Sequence, residues 1–183
     1  MKLLLTAALT LQFFTMYPTA TPIFADARKP VKVADKKRKP VNTPTMSKRG
    51  AFILSIKNPQ LSKFFNAHYE GAERLEKDFQ IPMAISLAQW FLESGFGTSK
   101  IALERLNFGG IRRSHEYVCY ESKELFYNDY ARVLSGCCYQ NIDRTDLEAW
   151  TTALQWSNCK YAQSKKYKSD LNKIIKRYKL DEL

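Results

Sequence analysis

Residues 88–112 read Ala88-Gln-Trp-Phe-Leu-Glu-Ser-Gly-Phe-Gly-Thr-Ser-Lys-Ile-Ala-Leu-Glu-Arg-Leu-Asn-Phe-Gly-Gly-Ile-Arg112. Pro82 opens a helical run through Met83, Ile85, Leu87, Ala88 and Leu92, which Gly95 is expected to close with a left-handed C-cap. Glu93 therefore falls in the last turn. Helix C-termini favour cations, so a carboxylate there works against the backbone dipoles and asks for a reason. The flanking rings of Trp90 and Phe96 would strip water from it, and both effects favour the protonated acid. Such a group is suited to general-acid work near neutral pH. Gln89, one turn earlier, is placed to orient it through a hydrogen bond.

Working outward, Asn58-Pro59 is a cap followed by proline at the first helical position, and Leu61, Phe64, Phe65, His68, Ala72 and Leu75 recur at helical spacing to about Phe79. His68 on that apolar stripe reads as a packed, hydrogen-bonded histidine. Thr98 and Ser99 cap a short helix through Leu106, and Asn107-Phe108-Gly109-Gly110 is a turn. Extended structure is expected only between Ile111 and Tyr120. Further helices are predicted over Ser122–Leu134, with Leu125, Phe126, Tyr130, Val133 and Leu134 inward, and from the capping-box sequence Thr145–Glu148 through Leu147, Trp150, Leu154 and Trp156. A last one runs from about Ser164 to Tyr178. Six helices with little β structure make a mainly α, compact helical domain.

The stretch at 88–112 resembles the signature of the bacterial N-acetylglucosaminidases of glycoside hydrolase family 73, which are peptidoglycan hydrolases. The match runs through Ala88, Gln89, Leu92, Glu93, Ser94, Gly95, Phe96, Gly97 and Ser99, then Asn107, Gly110 and Ile111. Arg112 replaces a lysine, and Gly109 stands where the family carries an aromatic residue. Similarity continues to the Tyr161-Ala162-Gln163 triplet and the Ile-Ile-x-x-Tyr-x-Leu ending at Leu180, which spans residues 50–180. The resemblance implies a lysozyme-like fold, Glu93 as catalytic acid, and Tyr161 beside it. It also implies a second carboxylate on a lobe after the Gly-Ile-Lys turn. That lobe is short here, and Ser114-His115-Glu116-Tyr117 makes Glu116 the candidate, with Glu121 and Asp129 behind it. Phe96, Gln89, Asn107 and Gly110 are the expected groove residues. Ordinary glycosidases hold their two carboxyls about 5–5.5 Å or about 6.5–9.5 Å apart, and some use the substrate's acetamido oxygen instead.

At 183 residues the chain suits one module with appendages. Residues 1–27 follow the plan of a secretory signal peptide, with Lys2, an apolar run from Leu3 to Met16 and small residues to Ala27. That run is shorter than the roughly 20 residues a spanning helix needs. The formal charge of +11 suggests nucleic acid at first sight, but nine of the basic residues lie between Arg28 and Arg49. Residues 28–49, with Pro30, Pro40 and Pro44, read as a disordered basic linker drawn to an anionic envelope. Residues 50–183 form the catalytic domain, nearly balanced in charge, and no nucleic-acid partner is expected.

Of the four cysteines, Cys137 and Cys138 are adjacent and unsuited to bond each other. Two bridges, from Cys119 and Cys159 to that pair, or one bridge and two free thiols, remain open. Short Cys-x-x-Cys spacing is lacking, so no metal or cofactor is expected. The Leu180-Asp-Glu-Leu183 ending is a coincidental likeness to a retention signal. The expectation is a secreted, periplasmic or envelope hydrolase acting on the glycan strands of peptidoglycan. A lytic transglycosylase and a binding or assembly module without turnover are the competing readings.

Overall fold

The computed structural model describes residues 46–136 and 138–183. The proposed signal segment and all but the end of the basic linker lie outside the described residues. Among the described residues no helix is long and apolar enough to cross a membrane.

Helix α1 (Lys48–Ser55) begins within the segment read as linker, capped by the Ser47 hydroxyl accepting the Gly50 N–H. Arg49, counted as tail charge, pairs with Glu70, donates to Asn66 Oδ1 at 2.9 Å and lies over the Tyr69 ring. Phe52 packs edge-on against Phe65, and this apolar contact recruits the basic residues into the domain.

Helix α2 (Pro59–Phe79) starts as expected, with Asn58 Oδ1 accepting from the Gln60 and Leu61 N–H groups, and stops at Gln80 in the left-handed region. Its buried stripe runs through Phe64, Phe65, His68, Tyr69, Ala72 and Leu75. Gly71 faces Tyr127 so closely that any side chain would meet the ring. Helix α3 (Met83–Glu93) is buried from Met83 to Trp90 on every side, which its nearly unbroken apolar sequence requires. It packs against α2 and against the helices of the C-terminal half. Burying each of its large side chains contributes roughly 1.5–3 kcal/mol.

Helix α4 (Lys100–Arg105) is capped by Ser99 and ends at Leu106. A two-residue hairpin follows, where β1 (Arg112–Arg113) pairs antiparallel with β2 (Glu116–Tyr117). Its turn residues Ser114 and His115 both have positive φ, the twist that short hairpins need. Helix α5 (Lys123–Leu134) buries Phe126, Tyr127, Asp129, Tyr130, Ala131 and Leu134. Leu125 is 48% exposed, so the inward face is rotated from the expected one by the packing of Tyr127 on Trp90. Helix α6 (Leu147–Trp156) takes its cap from Asp146, because Thr145 is engaged by Asp143. Trp156, expected inside, is 64% exposed. Helix α7 (Tyr167–Tyr178) buries Tyr167, Leu171 and Ile175, and the 3₁₀ turn Leu180–Glu182 tucks Leu180 into the core. The described residues thus form a lysozyme-like, mainly α domain.

Cys138 bonds Cys159, and Cys119 is a free, exposed thiol. The Cys138–Cys159 bridge excludes a pairing of Cys119 with Cys138 and is the single bridge among the described residues; Cys137 lies outside them.

Candidate active site

Glu93 is the last residue of α3, as its sequence requires. The chain then turns sharply through Gly95, Phe96 and Gly97, all with positive φ. Ser94 locks this turn. Its hydroxyl donates to the Trp90 carbonyl and accepts the Gly97 N–H at 2.8 Å. For Phe96 the left-handed conformation costs roughly 1–2 kcal/mol. It is held by an N–H bond to the Phe91 carbonyl at 2.8 Å and by packing on the Phe91 ring. Such strained positions cluster at functional sites.

The Glu93 carboxyl is half-buried, and burial raises it above the ordinary carboxylate range, while the Tyr167 hydroxyl beside it pulls the other way. Tyr167 is the ring that stands against the carboxyl. Trp90, expected to strip water from it, is packed in the core between Phe126, Tyr127 and Tyr130. The tyrosines form a directional chain. Tyr130 Oη donates to Gln89 Oε1 at 2.6 Å, Gln89 Nε2 donates to Tyr167 Oη at 2.9 Å, and the Tyr167 proton is left for Glu93. Gln89 is fully buried, so it is not a substrate contact. It acts on Glu93 through Tyr167.

Sequence periodicity turns Tyr130 inward and leaves Tyr167 inside the last predicted helix, with no role at the site for either. A buried tyrosine hydroxyl needs a partner, and the polar Gln89 within an apolar helix was the available sign. Removing the Tyr167 hydroxyl while keeping its ring, in Tyr167→Phe, is expected to raise the Glu93 carboxyl further. The alkaline limb of the pH–activity profile then moves to higher pH, because more of the acid stays protonated. A limb that stays put or moves down would contradict this chain.

The opposite wall is the loop 107–111. Gly110 has φ +66°, and a Cβ there would stand 3.0 Å from Glu93 Oε2, so backbone reaches the carboxyl where no side chain fits. At Gly109 a Cβ would meet Tyr161 Oη at 2.8 Å and the rings of Phe126 and Tyr130 just beyond. Those rings occupy the space an aromatic residue at 109 would need. Tyr161 Oη donates to the Gly109 carbonyl at 2.6 Å, which sets the height of the loop against Glu93. Its ring stacks on Tyr167, and burial holds its hydroxyl well above the usual range, so it remains a donor. The Cys138–Cys159 bridge stands behind it, with Tyr139 Oη donating to the Cys159 carbonyl at 2.6 Å.

Asn107 is buried, and its amide is fully engaged. Nδ2 donates to the Ile111 and Val118 carbonyls at 2.8 and 2.9 Å, and Oδ1 accepts the Ile111 N–H at 2.9 Å. It ties loop to hairpin and is not a groove contact.

The three proposed partners of Glu93 separate clearly. Asp129 is 8% exposed, bonded by Arg113 and Arg132 and by Tyr120 Oη at 2.7 Å, so it anchors the hairpin and is not free to act. Glu116 lies exposed on β2 opposite Arg113, and Glu121 is exposed just before α5; neither forms an ion pair among the described residues.

Two open clefts border this helix end. One, about 450 Å³, is lined by Gly110, Tyr161, Arg112, Arg113 and Lys160 among others. The other, about 390 Å³, has an aromatic floor of Phe64, Phe96 and Phe108 with His68, and includes Gly97 and Thr98. No group of three or more His, Cys, Asp or Glu side chains that could hold a metal ion occurs among the described residues.

No curated protein matches the chain in sequence. In solved structures it is similar to the catalytic domain of the autolysin Auto from Listeria monocytogenes, with a TM-score of 0.59 and 21% identity, covering 76% of this chain and 99% of that one. At that identity the likeness establishes the fold. The family model described as mannosyl-glycoprotein endo-beta-N-acetylglucosaminidase matches residues 69–180, a span that holds Glu93, the glycine loop, Tyr161 and Tyr167. The chain belongs to this glucosaminidase family of glycoside hydrolases.

Proposed function

We propose that the protein is a secreted, envelope-directed peptidoglycan hydrolase that cleaves the β-1,4 bond after N-acetylglucosamine, with Glu93 as the general acid. The observation that carries this reading is the placement of Glu93. Its half-buried carboxyl is raised by burial, backed by Tyr167 and bounded on one side by glycine backbone at a cleft. A protonated carboxyl in that position gives its proton to the departing sugar oxygen as the glycosidic bond lengthens. Tyr161 holds the loop that limits where Glu93 can move, and the Phe96 ring offers a face to a sugar at the neighbouring cleft. The disulfide fits an oxidising location outside the cytosol.

Glu116 is the proposed second carboxylate, being unpaired and exposed on the hairpin that the resemblance assigns to this role. One observation favours a different route, in which the substrate's acetamido oxygen attacks the sugar carbon: Asp129 is engaged by Arg113 and Arg132, and Glu116 and Glu121 are exposed to solvent. Glu116→Ala separates the two. A base or nucleophile lost there lowers kcat by about 10²–10⁴-fold, whereas an acetamido route leaves kcat near that of the parent. Digestion of purified sacculi, with product ends identified by mass spectrometry, tests the function itself. Reducing N-acetylglucosamine ends are expected; anhydro-muramyl ends would identify a transglycosylase, and binding without release a non-catalytic module.

A further inference from the structure

The cleft that shares Gly110 and Tyr161 with the Glu93 site carries three cations, Arg112, Arg113 and Lys160, and no carboxylate lines it. Arg113 is answered by Asp129 behind the hairpin. Arg112 and Lys160 appear in no ion pair among the described residues, and both are exposed. The Arg112 guanidinium lies 4.0 Å from the centre of the Tyr117 ring, a stacking that fixes its plane and leaves its N–H groups free at the rim. Glu116, the register partner of Arg113, pairs with neither of them. A planar fork held on an aromatic face beside a second free cation is an arrangement for a carboxylate. In a peptide-bearing strand the lactyl carboxyl of each muramic sugar is tied up in the amide to its peptide, so the sugar chain is neutral there and the free carboxylates are those of the peptide branches.

Resting on the peptidoglycan reading, we propose that this cleft is a subsite for the acidic peptide branch of the glycan strand, with Arg112 and Lys160 as its carboxylate contacts. The enzyme then selects peptide-bearing strands over bare ones. A bound branch lies next to Gly110, one residue from the carbonyl that Tyr161 holds, so recognition occurs beside the acid and registers the strand across it.

The test compares two substrates and two proteins. Soluble glycan strands bearing their peptides, and the same strands stripped by an amidase with the lactyl carboxyls so exposed capped as primary amides, are digested by the parent chain and by an Arg112→Gln, Lys160→Gln double variant. The parent is expected to show kcat/KM at least 10-fold higher on the peptide-bearing strands. The double variant should lose that preference while keeping the parent's rate on stripped strands. Equal cleavage of both substrates by the parent, or a preference retained by the variant, overturns the subsite. If neither substrate is cleaved, the hydrolase reading fails, and equilibrium binding of the same strands decides the subsite. Tighter binding of the peptide-bearing strand, lost in the double variant, supports it; equal affinity refutes it.

Discussion

Glu93→Gln is expected to lower turnover on peptidoglycan by about 10²–10⁴-fold, the usual share of a positioned general acid, and to leave a protein more stable at neutral pH than its parent. The two effects share one cause. Burial raises the folded-state carboxyl above its ordinary value near 4.5. Below 4.5 the group is protonated in both folded and unfolded chains. As pH rises through the raised value the folded state must hold an ionised, poorly hydrated carboxylate, and the favourable contribution of the protonated form is lost. Glutamine cannot ionise and can still accept from Tyr167. The variant's gain in Tm should be present at pH 7 and vanish below pH 4.5. Product release followed chromatographically, and calorimetry at both pH values, check the pair. A variant of equal activity would remove Glu93 from the mechanism, and one of lower stability at pH 7 would show that the carboxylate is well solvated.

The second large effect lies in the core. His68 is 2% exposed among Phe64, Phe108 and Trp90, with Nδ1 2.9 Å from Tyr127 Oη. Burial first, and the Lys123 charge second, lower its pKa from 6.5 to about 3. The folded histidine stays neutral while the unfolded one gains a proton below 6.5. Stability from this residue is therefore present above 6.5 and drains away as pH falls toward about 3. At 1.36 kcal/mol per unit this is a loss on the order of 4 kcal/mol, a large fraction of a domain's total. Urea titrations across that window should show the steep decline. His68→Leu should be weaker at neutral pH, with Tyr127 left unpaired, yet nearly flat over the same range. A parent protein whose stability does not change between pH 6.5 and 4 would contradict a neutral buried imidazole.

Glu93 at its helix end, the glycine turn after it and the packed His68 were legible because each depends on neighbours within one or two helical turns. The chain from Tyr130 through Gln89 to Tyr167 was not, since its partners lie 41 and 78 residues apart in sequence. Periodicity marks those tyrosines as inward-facing but cannot say which hydroxyl meets which amide. Gln89 and Asn107 stand out in the sequence as polar residues in apolar surroundings, and in the structure the amides of both are satisfied internally. Asp129 is an open carboxylate on paper; its pairing with Arg113 depends on the hairpin folding back over α5, and Arg132 adds a second cation from one turn along the same helix. The first helix escaped notice because Lys48 and Arg49 continue a basic run, and only the docking of Phe52 reveals where that run ends.

That docking has a practical corollary. An expression clone begun at residue 50 would delete Ser47, whose hydroxyl caps α1, and Arg49, the clasp onto Glu70 and Asn66. The amputated product would bare the rings of Phe65 and Tyr69 to solvent and invite precipitation. Soluble material therefore calls for a start codon placed upstream of Met46.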